Sequence, residues 1–180
     1  MNGRRAATGS CRTFPTIEET MSQPMLDTSR GYFAIGAERM SKSLNLGNLM
    51  RSAHAFGASF TFTIGASYSA LEAIADTSRG SQHLPHYDWR CLDELVLPRG
   101  CRLVGVELLD EAIELPRLQH PSRAAYVLGP EKGSLSPELL ARCDLTVKIP
   151  ARFCVNVAMA GAIVMYDRMI SRRPLPRLPA

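Results

Sequence analysis

Three short motifs contain the residues whose chemistry would be most useful in a binding site. The first holds Asn45 and Arg51, the second holds Glu131 within Gly-Pro-Glu-Lys-Gly, and the third holds Asn156 within Cys-Val-Asn. An arginine on the polar face of a helix can grip a phosphate through its fork of N–H donors. Glycines in a turn leave backbone N–H and C=O groups open to contact with an adenine or a ribose. These residue types are therefore suited to a ligand with phosphate, ribose or adenine groups.

Each motif also has a purely structural explanation. Asn45 and Gly57 can be the N-cap and the C-terminal stop of an amphipathic helix whose arginine is simply exposed. The Gly-Pro-Glu-Lys-Gly stretch can be a strand-to-helix turn, and Asn156 can be a helix N-cap. The glycine pattern matches neither the dinucleotide-binding fingerprint nor a phosphate loop ending in Gly-Lys-Ser/Thr, so a Rossmann-type dehydrogenase is the least favoured class.

The elements that must position these motifs alternate between strand and helix patterns. A helix is predicted over 45–56, where apolar residues recur at helical spacing, and another begins at Ser136 with Pro137 in its first position. A third helix covers about 155–170. Alternation of this kind predicts an α/β fold, with one mainly parallel sheet covered by helices on both faces. Strands are expected at 31–36, 59–64, 102–107, 124–128 and 145–149, with short elements at 71–75, 93–95 and 112–115 and a polar loop at 76–86.

The last predicted helix is apolar on nearly every side. Val157, Gly161 and Val164 form one apolar face, while Met159 and Tyr166 belong to another. Such a helix must be buried on more than one side, and a domain of this size has few ways to do so. We therefore expect a homodimer in which one face of this helix forms the interface.

Length and composition fit one domain with extensions at both ends. The chain has 180 residues, of which 46% are hydrophobic and 21% charged, and its formal net charge is +4. We predict a disordered N-terminal extension over 1–30, a folded domain over 31–170 and a basic tail over 171–180, with Met21 as a candidate start of translation. Residues 31–170 contain 14 basic and 14 acidic side chains, so the net charge of this domain does not predict a polyanionic partner.

Several protein classes are disfavoured by what the sequence contains. No apolar run approaches the roughly 20 residues needed to cross a bilayer, and no signal-peptide core follows the N-terminal arginines, so we predict a cytoplasmic protein with no membrane partner. The five cysteines form no C-x-x-C pair and the four histidines form no ligand cluster. Reduced, mostly buried thiols are therefore expected, with no disulfide framework and no metal.

Taken together, the motifs resemble those of a known enzyme family. The chain carries Asn45 and Arg51 in its first third, L-G-P-E-x-G-x-L-S at 128–136, and I-P followed by V-N-V-x-x-A at 149–160. In this order they resemble the SPOUT class of RNA methyltransferases, and more narrowly its SpoU/TrmH branch, which methylates ribose 2′-hydroxyls. The resemblance spans about residues 31–170.

The resemblance implies a fold, a cofactor and partners. Family members have an α/β domain with a deep C-terminal trefoil knot, bind S-adenosylmethionine within it and act as dimers on RNA. The implied catalytic residues are Arg51, Asn45, Glu131 and Asn156. The implied cofactor-binding residues are Leu128, Gly129, Ile149 and Val155. tRNA is expected as the substrate in preference to rRNA, with Arg39, Lys42, Arg79, Arg172, Arg173 and Arg177 holding its phosphates.

Two departures from the family pattern leave an alternative open. Cys154 stands where family members often have a serine, and the link from Pro150 to Asn156 is shorter than in many relatives. These differences are the support for a catalytically silent RNA-binding or assembly module of the same fold. Arg51 and the cofactor turns are intact, so an active enzyme is the favoured prediction.

Overall fold

A computed structural model describes residues 31–67 and 84–172. Within these ranges, the strands are β1 (Tyr32–Glu38), β2 (Phe60–Ile64), β3 (His86–Trp89), β4 (Arg102–Val106), β5 (Ile113–Glu114), β6 (Arg123–Leu128) and β7 (Leu145–Lys148). They form a seven-stranded sheet in the order β3-β2-β1-β6-β4-β7-β5, and every strand pairing is parallel. Because parallel neighbours point the same way, the carboxyl ends of all seven strands lie at one edge of the sheet.

Both faces of the sheet are covered, as the sequence predicts. Alternate residues of β1 point to opposite sides, so that Ile35 joins one hydrophobic core and Ala34 joins the other. Two long helices pack against each other over the first core, and a short helix and a loop at 92–97 cover the second. The helices are α1 (Ser43–Ala55), α2 (Pro137–Arg142) and α3 (Val157–Ser171), and two 3₁₀ helices span Leu92–Glu94 and Leu115–Arg117.

Gly161 allows α3 to approach α1 and the sheet closely. A Cβ atom at this position would lie 2.3 Å from Cδ1 of Leu49 in α1 and 3.3 Å from Cδ1 of Ile35 in β1. No larger side chain fits there without displacing those neighbours. The absence of a side chain at Gly161 therefore lets the side chains of Leu49 and Ile35 pack directly against the α3 backbone. The trefoil knot that the resemblance implies stays a prediction.

Most predicted elements are present, and several of their caps are confirmed. Ser136 accepts a hydrogen bond from the backbone N–H of Leu139 and caps α2, whose first residue is Pro137. Asn156 caps α3, and Gly57, with a φ of 75°, follows α1. The predicted helix at 71–75 lies outside the described residues, as do the predicted extension, most of the basic tail, and Arg79, Arg173 and Arg177.

Three predictions need correction. Asn45 is not the N-cap of α1, which begins at Ser43 after Lys42; Asn45 is buried in its first turn. His86 does not lie in a loop but begins the edge strand β3, where its ring lies 2.9 Å from Thr61 Oγ1 of β2. The described cysteines are free but not buried, since Cys91 and Cys154 are exposed and the other two are half-buried.

Arg172 is half-buried, and its Nη1 donates to the backbone carbonyl of His120 at 3.0 Å, near the amino end of β6. At least one of its five guanidinium donors is therefore engaged within the protein. The phosphate-binding role expected of this residue stays a prediction.

Candidate active site

An open cavity of about 340 Å³ lies at the carboxyl ends of β4, β6 and β7. The sheet edge, the link before α3 and the first turn of that helix form its walls. All four residues predicted to bind the cofactor line it: Leu128 at the end of β6, Gly129 after it, Ile149 after β7, and Val155 before α3. A cavity of this size can enclose a small organic ligand, and its walls combine apolar side chains with polar groups.

The turn at 129–133 is shaped by close packing beneath it. A Cβ atom on Gly129 would lie 3.3 Å from the backbone nitrogen of Leu135 and 3.4 Å from Oε2 of Glu107. Glycine therefore lets the chain pass close to these polar atoms without crowding. Because Gly129 has no side chain, its backbone groups form part of the cavity wall and can contact a ligand directly.

Glu131 fastens this turn to the start of α1. One carboxylate oxygen accepts hydrogen bonds from the N–H and Oγ of Ser41, at 2.9 and 3.0 Å. The other accepts from the N–H of Lys42 and from Nδ2 of Asn45, both at 3.0 Å. Partial burial raises the pKa of Glu131, but these hydrogen bonds outweigh that effect, so the pKa is lowered overall. The side chain is therefore an ionised anchor.

Asn45 extends this connection to the third motif. Its Oδ1 accepts a hydrogen bond from Nδ2 of Asn156 at 3.1 Å, while its Nδ2 donates to Glu131. Oδ1 of Asn156 in turn accepts from the backbone N–H groups of Ala158 and Met159 at the start of α3. The three motifs thus form one hydrogen-bonded chain, Glu131–Asn45–Asn156, along one side of the cavity.

Arg51 is the predicted catalytic residue that the structure places elsewhere. It is exposed on α1, more than one helical turn beyond Asn45, and it is not among the residues that line the cavity. Within one chain, the described structure therefore brings together three of the four predicted catalytic residues and leaves Arg51 outside the cavity.

Sequence reasoning missed two lining residues that follow β4, Glu107 and Leu108. Glu107 Oε2 accepts from the N–H of Leu135 at 2.8 Å and its Oε1 accepts from the N–H of Leu108 at 2.9 Å. The signal that could have found them is topological. They come directly after a strand that pairs with β6, so they reach the same sheet edge as Gly129.

Cys154 also lines the cavity and is exposed. No group of three or more histidine, cysteine, aspartate or glutamate side chains is placed to hold a metal ion within residues 31–67 and 84–172. Over the same ranges, no helix has the length and apolar character needed to cross a membrane.

The sequence model of the SpoU rRNA Methylase family matches residues 32–166 of this chain. The chain therefore belongs to that family, and the prediction made from the three motifs is confirmed. The match begins at the first residue of β1 and ends within α3, so it includes every element that surrounds the cavity.

Two characterised relatives are tRNA methyltransferases. The chain is 27% identical to the mouse tRNA (guanosine(18)-2′-O)-methyltransferase TARBP1, over 73% of this chain but only 9% of that protein. It is 25% identical to the tRNA (guanosine(18)-2′-O)-methyltransferase of Thermus thermophilus, over 75% of this chain and 73% of that enzyme. The chain thus matches a small part of one relative and most of the other.

Solved structures share the fold. An AdoMet-bound rRNA methyltransferase from Sinorhizobium meliloti has a TM-score of 0.70 at 21% identity, over 78% of this chain and 57% of that one. The SpoU methyltransferase AviRb from Streptomyces viridochromogenes, in complex with AdoMet, has a TM-score of 0.67 at 22% identity, over 83% and 66%. A structure described as giving insight into 2-OH methylation of C/U34 on tRNA has a TM-score of 0.65 at 25% identity, over 80% and 99%.

Proposed function

We propose that this chain is an S-adenosylmethionine-dependent RNA methyltransferase that methylates a ribose 2′-hydroxyl, with tRNA as the favoured substrate. The observation that carries the proposal is the hydrogen-bonded chain Glu131–Asn45–Asn156, which joins the three family motifs beside one cavity. The names of the two tRNA 2′-O-methyltransferase relatives support the substrate class. The two fold neighbours that hold AdoMet support the cofactor.

The cavity suits S-adenosylmethionine in both size and chemistry. Its volume of about 340 Å³ lies in the range of small-molecule sites, and Leu128, Ile149 and Val155 offer apolar walls. The charged side chains of the described lining are the two carboxylates of Glu107 and Glu131 and the single cation of Lys42. The resulting excess of negative charge complements a ligand that carries a sulfonium and an ammonium group. When bound, the cofactor supplies an electrophilic methyl group for an in-line displacement.

The side chains at this site orient the cofactor and the RNA hydroxyl rather than act as strong acids or bases. The turn held by Glu131 and the helix end capped by Asn156 fix the walls of the cavity, so that a bound molecule is oriented before the RNA arrives. A guanidinium group is a poor general base because it holds its proton strongly. We assign Arg51 the role of gripping the phosphate beside the reactive hydroxyl, which would hold the nucleophile in line and assist removal of its proton.

The active form is proposed to be a homodimer. Met159, Tyr166 and Ile170 are 57, 52 and 43% exposed along one side of α3, which is an unusual amount of apolar surface for a helix that is otherwise buried. A second copy of the chain is the partner that fits, because a two-fold axis would pair this face with itself. Arg51 lies outside the cavity of its own chain, so we propose that it serves the cavity of the other subunit.

Calorimetric titration of the purified protein with S-adenosylmethionine tests the cofactor, and transfer of a labelled methyl group to unmodified tRNA tests the reaction. We expect binding heat and label at ribose 2′-oxygens, located by resistance to alkaline cleavage. A well-folded dimer that gives no heat would instead support the catalytically silent RNA-binding module, which Cys154 in place of the usual serine favours. Label on a base would contradict the ribose assignment alone.

A further inference from the structure

A second cavity, of about 500 Å³, adjoins the first at the carboxyl end of β1. Lys42, Pro130, Glu131 and Gly133 line both cavities, so the turn after β6 is the wall between them. The remaining described lining residues are Arg39, Ser41, Lys132 and Ser134. A group bound in the second cavity would therefore lie one side-chain layer from a cofactor bound in the first.

The charge of this second cavity is predominantly positive. Its described lining contains three cationic side chains, from Arg39, Lys42 and Lys132, and a single carboxylate, from Glu131. Both oxygens of that carboxylate already accept hydrogen bonds from Ser41, Lys42 and Asn45. They are turned toward backbone and amide donors. Even when the buried carboxylate of Glu38, 3.6 Å from Arg39 Nη2, is included, three cations face two carboxylates, so the cavity should attract an anion.

Arg39 is held in position by a strained backbone. Its φ of 48° makes it the one residue other than glycine in the left-handed region within the described part of the chain. The conformation is fixed by a 2.7 Å hydrogen bond from its N–H to the carbonyl of Ile64. Residues kept in such conformations concentrate at functional sites, where the surrounding structure holds a side chain in place.

The side chain of Arg39 spans the cavity wall while remaining accessible. Nη2 donates to the carbonyl of Ser134 at 3.0 Å and lies 3.6 Å from a carboxylate oxygen of Glu38, yet the side chain is 54% exposed. Glu38 is buried and also accepts hydrogen bonds from the N–H and Oγ of Ser136. Since a guanidinium has five N–H donors, donors remain for a ligand.

We infer that the second cavity binds a backbone phosphate of the RNA substrate, close to the nucleotide that is methylated. The inference rests on the proposed function, because the shared wall matters only if the first cavity holds the methyl donor. Phosphate contacts fix the register of a nucleic acid without reading its sequence. Arg39 and Lys132 are thus positioning residues that present the ribose to the cofactor cavity.

The test compares Arg39→Gln, Lys132→Gln and the double variant with Arg99→Gln. Arg99 is an exposed residue just before β4, at the opposite edge of the sheet, and its removal changes the net charge by the same amount. Binding of fluorescently labelled bulk tRNA is measured by anisotropy over a range of salt concentrations. S-adenosylmethionine affinity and thermal midpoint are measured for each protein.

Each single variant at the cavity should bind tRNA about five- to ten-fold more weakly at ~0.1 M salt. The slope of log K against log salt should fall by roughly 0.7 to 0.9 for each phosphate that the protein no longer neutralises. Arg99→Gln should bind like the wild type, and cofactor affinity should be unchanged in Lys132→Gln. Lys132 is exposed and lies outside the strained backbone at Arg39, so Lys132→Gln keeps the test valid if Arg39→Gln unfolds.

Equal weakening in Arg99→Gln would show that only overall charge matters and would overturn the inference. Unchanged tRNA affinity and salt slope in Lys132→Gln and in the double variant would overturn it as well. Either result, obtained with a wild-type protein that binds both tRNA and S-adenosylmethionine, leaves the proposed function standing. A wild-type protein that binds no S-adenosylmethionine would instead remove the proposed function itself.

Discussion

Asn156 donates a hydrogen bond from Nδ2 to Oδ1 of Asn45, a residue 111 positions earlier in the chain, at 3.1 Å. This contact joins the start of α3 to the start of α1. Since Asn45 also donates to Glu131, one amide side chain uses both of its polar ends to hold three segments together. We therefore predict that a substitution at Asn45 displaces both the glycine turn and the start of α3, which line the cofactor cavity.

Asn45→Ala should therefore weaken both the fold and cofactor binding. The substitution leaves Glu131 and Asn156 each short of a buried partner, which should cost about 1–3 kcal/mol of unfolding free energy. S-adenosylmethionine affinity should fall at least ten-fold. Urea unfolding and calorimetry measure the two effects. Asn48→Ala, on the exposed face of the same helix, is the control. If the two variants behave alike, the hydrogen-bonded chain has no special role.

Arg51→Ala should abolish methyl transfer while leaving S-adenosylmethionine affinity near the wild-type value, because Arg51 does not line the cofactor cavity. Arg117→Ala, whose side chain is 80% exposed near β5, is the matched control and should remain active. Loss of cofactor binding in Arg51→Ala would show that the role assigned to this residue is wrong.

Mixed dimers determine which subunit Arg51 serves. A dimer of one Arg51→Ala and one Asn45→Ala subunit pairs an intact cavity with an intact arginine only if Arg51 acts across the interface. We therefore expect a mixture of the two variants to be more active than either variant alone. If activity does not return although the subunits exchange, Arg51 acts in its own chain.

Met159→Glu should convert the proposed dimer into monomers. Met159 is 57% exposed on α3, and a carboxylate there would meet its symmetry mate in an apolar interface, where unpaired charges are costly. Sedimentation velocity measures the oligomeric state. Val96→Glu, at a site 74% exposed far from α3 in the sequence, should leave it unchanged. A wild-type protein that sediments as a monomer would refute the dimer directly.

Gly161→Ala should destabilise the protein even though alanine favours helix by about 1 kcal/mol relative to glycine. The added methyl group would lie 2.3 Å from Leu49 Cδ1, and overpacking of this kind typically costs about 1–3 kcal/mol. Denaturant unfolding of both single variants and the double variant with Leu49→Ala tests the cause. The double variant should be more stable than the sum of the single effects predicts; simple additivity would contradict a clash between these two side chains.

Stability should fall as the pH is lowered through the range in which His120 titrates. Its pKa is lowered chiefly by burial, against the opposing hydrogen bond to Asp167, and Arg168 and Arg172 lower it further. A folded-state pKa below the unfolded value of about 6.5 favours the neutral ring. The contribution of the neutral ring to the free energy of unfolding is therefore complete above pH 6.5 or so and is lost as the pH falls below about 6.5.

The hydrogen bonds of His120 agree with a neutral ring. Nε2 lies 2.8 Å from Asp167 and Nδ1 lies 2.6 Å from the hydroxyl of Tyr126, which also accepts from Arg168. A second ring proton would leave that hydroxyl with two donors and no acceptor for its own hydrogen. His120→Gln should flatten the pH dependence of the unfolding free energy below the unfolded-state pKa of about 6.5, relative to the exposed control His54→Gln. Parallel curves for the two variants would contradict this account.

Most of the helices and strands could be predicted from the sequence because their signals are local, whereas the residues at the cofactor cavity were implied by the family resemblance. The glycine turn at 129–133 and the caps at Ser136 and Asn156 depend on residues a few positions apart. Asn45 was harder to place, because its side chain serves Glu131 and Asn156 rather than its own helix end. The edge strand at His86 is short and holds its polar side chains against Thr61 and Thr63, so no long apolar pattern marks it.

The position of β1 has a consequence for how the protein is made. This strand lies between β2, which follows it closely, and β6, which ends at Leu128. During synthesis, one edge of β1 must stay unpaired until β6 has left the ribosome, and α3 covers that region later still. An open edge of this kind is prone to pair with other chains. Nascent protein should therefore depend on chaperones until α3 emerges, and truncation before Val157 should yield aggregates rather than a smaller folded enzyme.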